Sequence, residues 1–138
     1  TTLCYLEKDG AYLMLHRVKK KNDVNHDKWV GVGGKFEPGE DALACALREV
    51  REETGLRLTA ITHVLPPAAC TVGIGDERTV CVFGTAEGTF RPSTDPMEEI
   101  ESAWYTRAQV RALHETDLFG SWALAYSWMF ANGCLPGV

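Results

Sequence analysis

Between Asp41 and Thr54 the chain places Leu43, Leu47, Val50 and Thr54 at steps of 4, 3 and 4, which is one face of a helix. Pro38-Gly39 turns the chain before this stretch, and Gly55 stands where a helix terminator belongs. Strand-like segments surround it. Thr2 to Lys8 and Ala11 to Val18 flank Asp9-Gly10, a hairpin-turn pair. Trp29 to Val32 reads as a short strand ending at Gly33-Gly34, and Leu58 to Leu65 as another, stopped by Pro66-Pro67. Cys70 to Ile74 and Arg78 to Ala86 suggest a second hairpin across Gly75-Asp76, and Ser102 to Tyr105 a last strand. Thr106 and Gln109 have capping-box spacing for a helix to about His114. Ser121 to Ala131 is apolar on most faces and closes at Asn132-Gly133, so it reads as a helix packed on the sheet, with Trp122 and Trp128 in the core. One helix in the middle, more at the end and strands elsewhere predict an α+β fold, an α/β/α sandwich. The 138 residues suit one domain, 1–138.

The middle helix carries an electrostatic anomaly. Glu49, Glu52 and Glu53 share one face, expected roughly opposite the apolar stripe. Like charges at this spacing repel, and the C-terminal half of a helix disfavours anions. A divalent cation relieves both conflicts, since hard cations take carboxylate oxygens. A solvated acidic face, eased by Arg48 pairing with Glu52, is the alternative. The preceding run from Gly33 to Glu40 is glycine-rich at its start, which lets backbone groups approach a metal or a phosphate oxygen.

Nineteen acidic and fourteen basic residues leave a net charge of −5. That excludes a broad basic surface for long nucleic acids. No apolar run is long enough for a spanning helix. Thr1-Thr2-Leu3-Cys4-Tyr5 lacks the basic-then-apolar layout of a signal peptide. Five cysteines, an odd number without metal-ligand spacing, point to reduced thiols and a cytoplasmic protein.

Gly34, Glu40, Arg48-Glu49-Val50, Glu52-Glu53, Gly55 and Leu56 together resemble the Nudix box, complete at every fixed position over 34–56. At about 6% usage per residue type, such a match arises by chance on the order of once in a billion starts. Trp29 to Lys35 and the acidic stretch before Trp104 extend the likeness to MutT-like Nudix hydrolases. The resemblance implies a Nudix sandwich with a mixed central sheet, and hydrolysis of a nucleoside diphosphate linked to another group. It implies that Glu49, Glu52 and Glu53, with the Gly33 carbonyl, hold Mg²⁺ or Mn²⁺, and that one glutamate takes a proton from water. Arg48 would orient a box glutamate, with Glu40 structural. Glu99, with Glu98 the close second, would add a further carboxylate. Gly34 and Lys35 would meet phosphate, and Asp117 a base edge.

The closest likeness is to enzymes that cleave 8-oxo-dGTP to the monophosphate and pyrophosphate. Val30 departs from it, because a base-contacting Asn stands there in the mammalian oxidised-purine hydrolase. Markers of the dinucleoside-polyphosphate and ADP-ribose subfamilies are missing at their usual distance past the box. The competing readings are hydrolysis of ADP-ribose or a similar conjugate, and a sensing module that binds nucleotide without turnover. The implied partners are small nucleotides, with no long nucleic acid and no membrane, in a monomer or homodimer.

Overall fold

The computed structural model describes residues 1–17, 28–69, 77–92 and 100–134. The elements are β1 (Thr2–Lys8), β2 (Ala11–Arg17), β3 (Trp29–Val30), β4 (Val32–Gly34), α1 (Ala42–Thr54), β5 (Arg57–Val64), β6 (Ala68–Ala69), β7 (Arg78–Glu87), β8 (Ile100–Tyr105), α2 (Arg107–Thr116) and α3 (Ser121–Ala131). The expected α+β fold is present: a mixed, open sheet with three helices. No described helix is long and apolar enough to cross a membrane. The loop expected from Lys19 to Lys28 lies, apart from Lys28, outside the described residues, as do Cys70 to Ile74 and the turn at Gly75-Asp76.

The first hairpin turns at Asp9 (φ 50°) and Gly10 (φ 79°), the paired positive angles that match strand twist. Beyond the turn the hairpin splays. β1 pairs β2 only at Glu7–Tyr12 and Lys8–Ala11. Farther along, the chain from Trp29 to Gly34 enters the fork. β3 pairs with β2 through Trp29 and Val30, then β4 pairs with β1 through Val32, Gly33 and Gly34. The single strand expected over Trp29 to Val32 is therefore two, exchanging partners at Gly31. The outer side of β1 runs parallel to β7, from Thr2–Val80 to Glu7–Thr85, while β8 lies antiparallel to β2.

Both faces of the sheet's centre are covered, so β1, β2 and β7 are apolar on both sides, whereas edge strand β5 is mostly exposed. Cys4, Leu6, Leu13, Leu15, Val32 and Val82 pack with Ala46, Val50 and Leu56 under α1. Tyr5, Tyr12, Met14, Trp29 and Phe83 pack with Val110, Phe130 and Ala131 under α2 and α3. The capping box forms as expected: Thr106 N–H donates to Gln109 Oε1 at 2.8 Å, and Gln109 N–H donates to Thr106 Oγ1 at 3.3 Å.

The helical faces differ from expectation at two places. In α1 the buried residues are Cys45, Ala46, Val50 and Thr54, whereas Leu43 and Leu47 are 44% and 49% exposed. Small residues let the helix lie close to the sheet, and that outweighs the larger hydropathy of leucine. In α3, Trp128 is 54% exposed, because the helix faces the core with Ala123, Ser127 and Phe130. Ser127 Oγ lies 2.8 Å from His114 Nε2 on α2, a contact that needs a small side chain. Leu47→Gln is expected to change stability by no more than about 0.5 kcal/mol. Val50→Ala should cost about 2 kcal/mol, both measured by urea denaturation.

Candidate active site

The rotation of α1 determines where its charges lie. Its acidic face borders the buried stripe instead of opposing it, so two glutamates meet the glycine strand. Asp41 caps the helix by accepting from Ala44 N–H at 2.8 Å, and Gly55 ends it at φ 80°. Glu53 Oε2 accepts from Gly33 N–H at 3.2 Å. Glu49 lies over Gly34 so closely that a Cβ there would stand 2.5 Å from Glu49 Oε1. A Cβ at Gly33 would instead strike the Thr2 carbonyl oxygen of β1 at 1.8 Å.

Arg48 ties this helix face to the loop before it. Its Nε and Nη2 donate to the two oxygens of Glu40 at 2.7 and 2.9 Å, a two-pronged pair. Nη1 donates to Glu49 Oε1 at 2.8 Å and to Glu52 Oε2 at 3.2 Å, and Nη2 to the Lys35 carbonyl at 3.0 Å. Glu40 also accepts from Glu37 N–H at 2.7 Å, which closes the loop on itself. The Arg48 hydrogen bonds, then that amide, pull the Glu40 carboxyl down to about 2. Pairing with Glu40, above all, raises the Arg48 guanidinium.

Glu49, Glu52, Glu53, Arg48, Gly33, Gly34 and Lys35 thus converge where α1 meets β4. The donors available to a cation are all oxygen, which suits Mg²⁺. Among the described residues, no three acidic, histidine or cysteine side chains stand close enough together to form a ready metal cage. In this arrangement Arg48 holds Glu49 and Glu52. Glu98 and Glu99 lie outside the described residues. Asp117 ends α2, with Oδ2 accepting from Trp29 Nε1 at 2.8 Å and Oδ1 from the Thr116 hydroxyl at 2.7 Å.

The Trp29 bond, then that of Thr116, holds the Asp117 carboxyl below its usual range. A carboxyl lowered by folding stabilises the native state above its unfolded pKa, and that gain disappears as pH falls through the lower folded value. Asp117→Asn should therefore flatten the loss of Tm below about pH 4, measured by thermal melts in acid buffers.

A cleft of about 240 Å³ opens at the start of α3, and of its lining the sequence singled out Val30 alone as a base-contact position. Val30, Gly31 and Leu3 form one side, Trp122 and Ala123 the other, and Tyr5 is also on its lining. Trp29 builds it. Its N–H donates to the Leu118 carbonyl, and its carbonyl accepts from Gly120 N–H, so β3 fixes where α3 begins. No local spacing signals such a cleft, because its walls come from opposite ends of the chain.

Solved structures share this architecture. The NUDIX hydrolase of Nitrosomonas europaea superposes with a TM-score of 0.68 at 20% identity, covering 99% of this chain and 90% of that one. A structure described as an ADP compounds hydrolase gives 0.73 at 15% identity, covering 97% and 74%. The MutT NUDIX hydrolase of Burkholderia pseudomallei gives 0.64 at 18% identity, covering 90% and 91%. A curated relative, the m7GpppN-mRNA hydrolase NUDT17 of Xenopus laevis, is 42% identical over 50 residues, 36% of this chain and 17% of the relative's length. The NUDIX domain model matches residues 1–123, and with the glutamate helix seated on its glycine strand, the chain belongs to the Nudix family.

Proposed function

We propose that the protein is a pyrophosphohydrolase that cleaves a phosphoanhydride in a nucleoside triphosphate, with 8-oxo-dGTP the leading substrate, yielding monophosphate and pyrophosphate. The observation that carries this reading is the seating of Glu53 and Glu49 against Gly33 and Gly34, with Arg48 bridging to Glu40. Phosphoanhydride hydrolysis needs neutralised phosphoryl oxygens and an aligned water. Glu49, Glu52, Glu53 and the Gly33 carbonyl would hold Mg²⁺, with Mn²⁺ as a substitute, and the ion would supply that neutralisation. A box carboxylate accepts the proton that water loses, and Glu99 contributes one more carboxylate. Arg48 orients Glu49 and Glu52. Lys35 and Gly34 receive phosphate, and Asp117 approaches the base. Buried, unpaired Cys4, Cys45 and Cys81 are in keeping with a reducing, cytoplasmic setting.

Val30 favours a second reading. It lines the cleft without offering a side-chain hydrogen bond, which weakens the case for an oxidised base and leaves ADP-ribose or another nucleoside-diphosphate conjugate in contention. The names of two relatives point the same way, toward ADP compounds and capped mRNA ends. The test is a turnover screen with Mg²⁺ against 8-oxo-dGTP, dGTP, other triphosphates, ADP-ribose, diadenosine polyphosphates and a capped dinucleotide. Preference for 8-oxo-dGTP with pyrophosphate release supports the first reading. Preference for a conjugate replaces it. Absence of turnover with Mg²⁺ and Mn²⁺ makes the protein a nucleotide-binding module.

A further inference from the structure

Tyr5 is 3% exposed, and among the described residues its hydroxyl has no hydrogen-bond partner. Leaving a buried hydroxyl unpaired is unfavourable; Tyr12 Oη shares that state, but of the two only Tyr5 is on the lining of the cleft, where a ligand can supply the bond. The ring cannot swing away to find a partner. It packs against Phe83 and Tyr126, with centroids at 5.7 and 4.8 Å. Its phenol end lies beneath Gly31, where a Cβ would stand 3.1 Å from Oη, and both residues line the cleft. Burial raises the Tyr5 phenol, so it stays protonated and available as a donor.

The other end of the same cleft also donates. Gly120 caps α3 without a side-chain hydrogen bond, and Gly120, Ser121, Trp122 and Ala123 are all on the lining. The first N–H groups of a helix have no carbonyl partner within it, and they carry its positive dipole end. Leu3, Val30 and Trp122 make the walls apolar, and among the described residues no lysine or arginine is on the lining. At about 240 Å³ the space is smaller than the ~300–1,000 Å³ of sites that hold a whole drug-sized ligand. It fits one flat ring. Leu3 pairs with Gly33, whose N–H meets Glu53, so the cleft and the carboxylates adjoin across the same narrow glycine strand.

We propose that Tyr5 is a specificity-determining residue, its hydroxyl and the first amides of α3 donating to a carbonyl oxygen on the base of the nucleotide substrate. This rests on the nucleotide-hydrolase reading and names which bases it accepts. A base that presents an amino group there sets donor against donor. An anion such as phosphate is disfavoured by the apolar walls, on which no described residue is a cation.

The test compares binding of guanosine 5′-monophosphate with that of 2-aminopurine riboside 5′-monophosphate, which lacks the six-position carbonyl, by calorimetric titration. Wild-type protein should prefer the guanosine ligand. Tyr5→Phe should weaken that ligand about tenfold and leave the 2-aminopurine ligand unchanged. Because the hydroxyl is unpaired, the variant's Tm should be equal or higher. Ser121→Pro gives a second view. Proline suits the first helical position and removes one N–H there, and Gly120 (φ −63°, ψ 153°) already has the extended geometry that precedes proline. It should cause the same selective loss. Equal weakening of both ligands, no change in either, or displacement of the guanosine ligand from the cleft by inorganic phosphate overturns the proposal. Titration needs no turnover. A protein that binds selectively but hydrolyses nothing refutes the hydrolase reading alone, and an active enzyme without the preference refutes the role of Tyr5 alone.

Discussion

Glu53→Gln is expected to lower kcat about 10²–10⁴-fold while leaving the fold in place. The substituted amide oxygen still accepts from Gly33 N–H, so the 3.2 Å bond between α1 and β4 has a replacement. The negative charge does not. Turnover depends on that charge, whether Glu53 holds the cation or takes the proton, whereas nucleotide affinity depends mostly on contacts elsewhere. Steady-state kinetics at saturating Mg²⁺, with melting curves on the same samples, separate the two effects. Unchanged turnover in a folded variant would remove α1 from the chemistry.

Two adjacent glycines should respond in opposite ways to alanine. At Gly34 the added methyl meets Glu49 Oε1 at 2.5 Å and Cδ at 2.8 Å, the far end of a flexible side chain. The carboxylate can swing aside, so the fold survives and the site loses its alignment. Gly34→Ala should keep its Tm within a few degrees and lose about a hundredfold in kcat/KM, the scale of an ångström-sized misplacement. At Gly33 the methyl meets the Thr2 backbone, with its carbonyl oxygen at 1.8 Å. The strand pair itself must part, and Gly33→Ala should cost about 3 kcal/mol or more. Paired melts and kinetics check this. A Gly34→Ala enzyme of full activity would show that the position of Glu49 does not govern turnover.

The sequence made the ends of elements more legible than their faces. Asp41, Gly55, Asp9-Gly10 and the Thr106–Gln109 box act through bonds and angles within a few residues, so local reading finds them. The glutamates and Arg48 were legible through the spacing of a known motif, and the structure brings them together. The face that α1 buries was not legible. Hydropathy ranks Leu43 and Leu47 above Cys45 and Ala46, but close approach to a sheet selects small side chains. Nor was the partner exchange at Gly31, which depends on two strands splaying far earlier in the chain. The Tyr5 hydroxyl gave no signal, because its lack of a partner among the described residues exists only once β1, β7 and α3 have met.

The splayed hairpin also sets a schedule for folding. The glycine strand has a place only if β1 is held open on one side and bound on the other, and that outer support is β7, with Thr2 against Val80. Contacts so distant along the chain form slowly, because a long loop must close before any of them is rewarded. α1 can coil early, but the strand that supports β1 on its far edge, with Val80 to Thr85 against Thr2 to Glu7, is still to be synthesised when α1 is complete. A growing chain on the ribosome therefore carries its whole motif before the sheet that seats it can be completed.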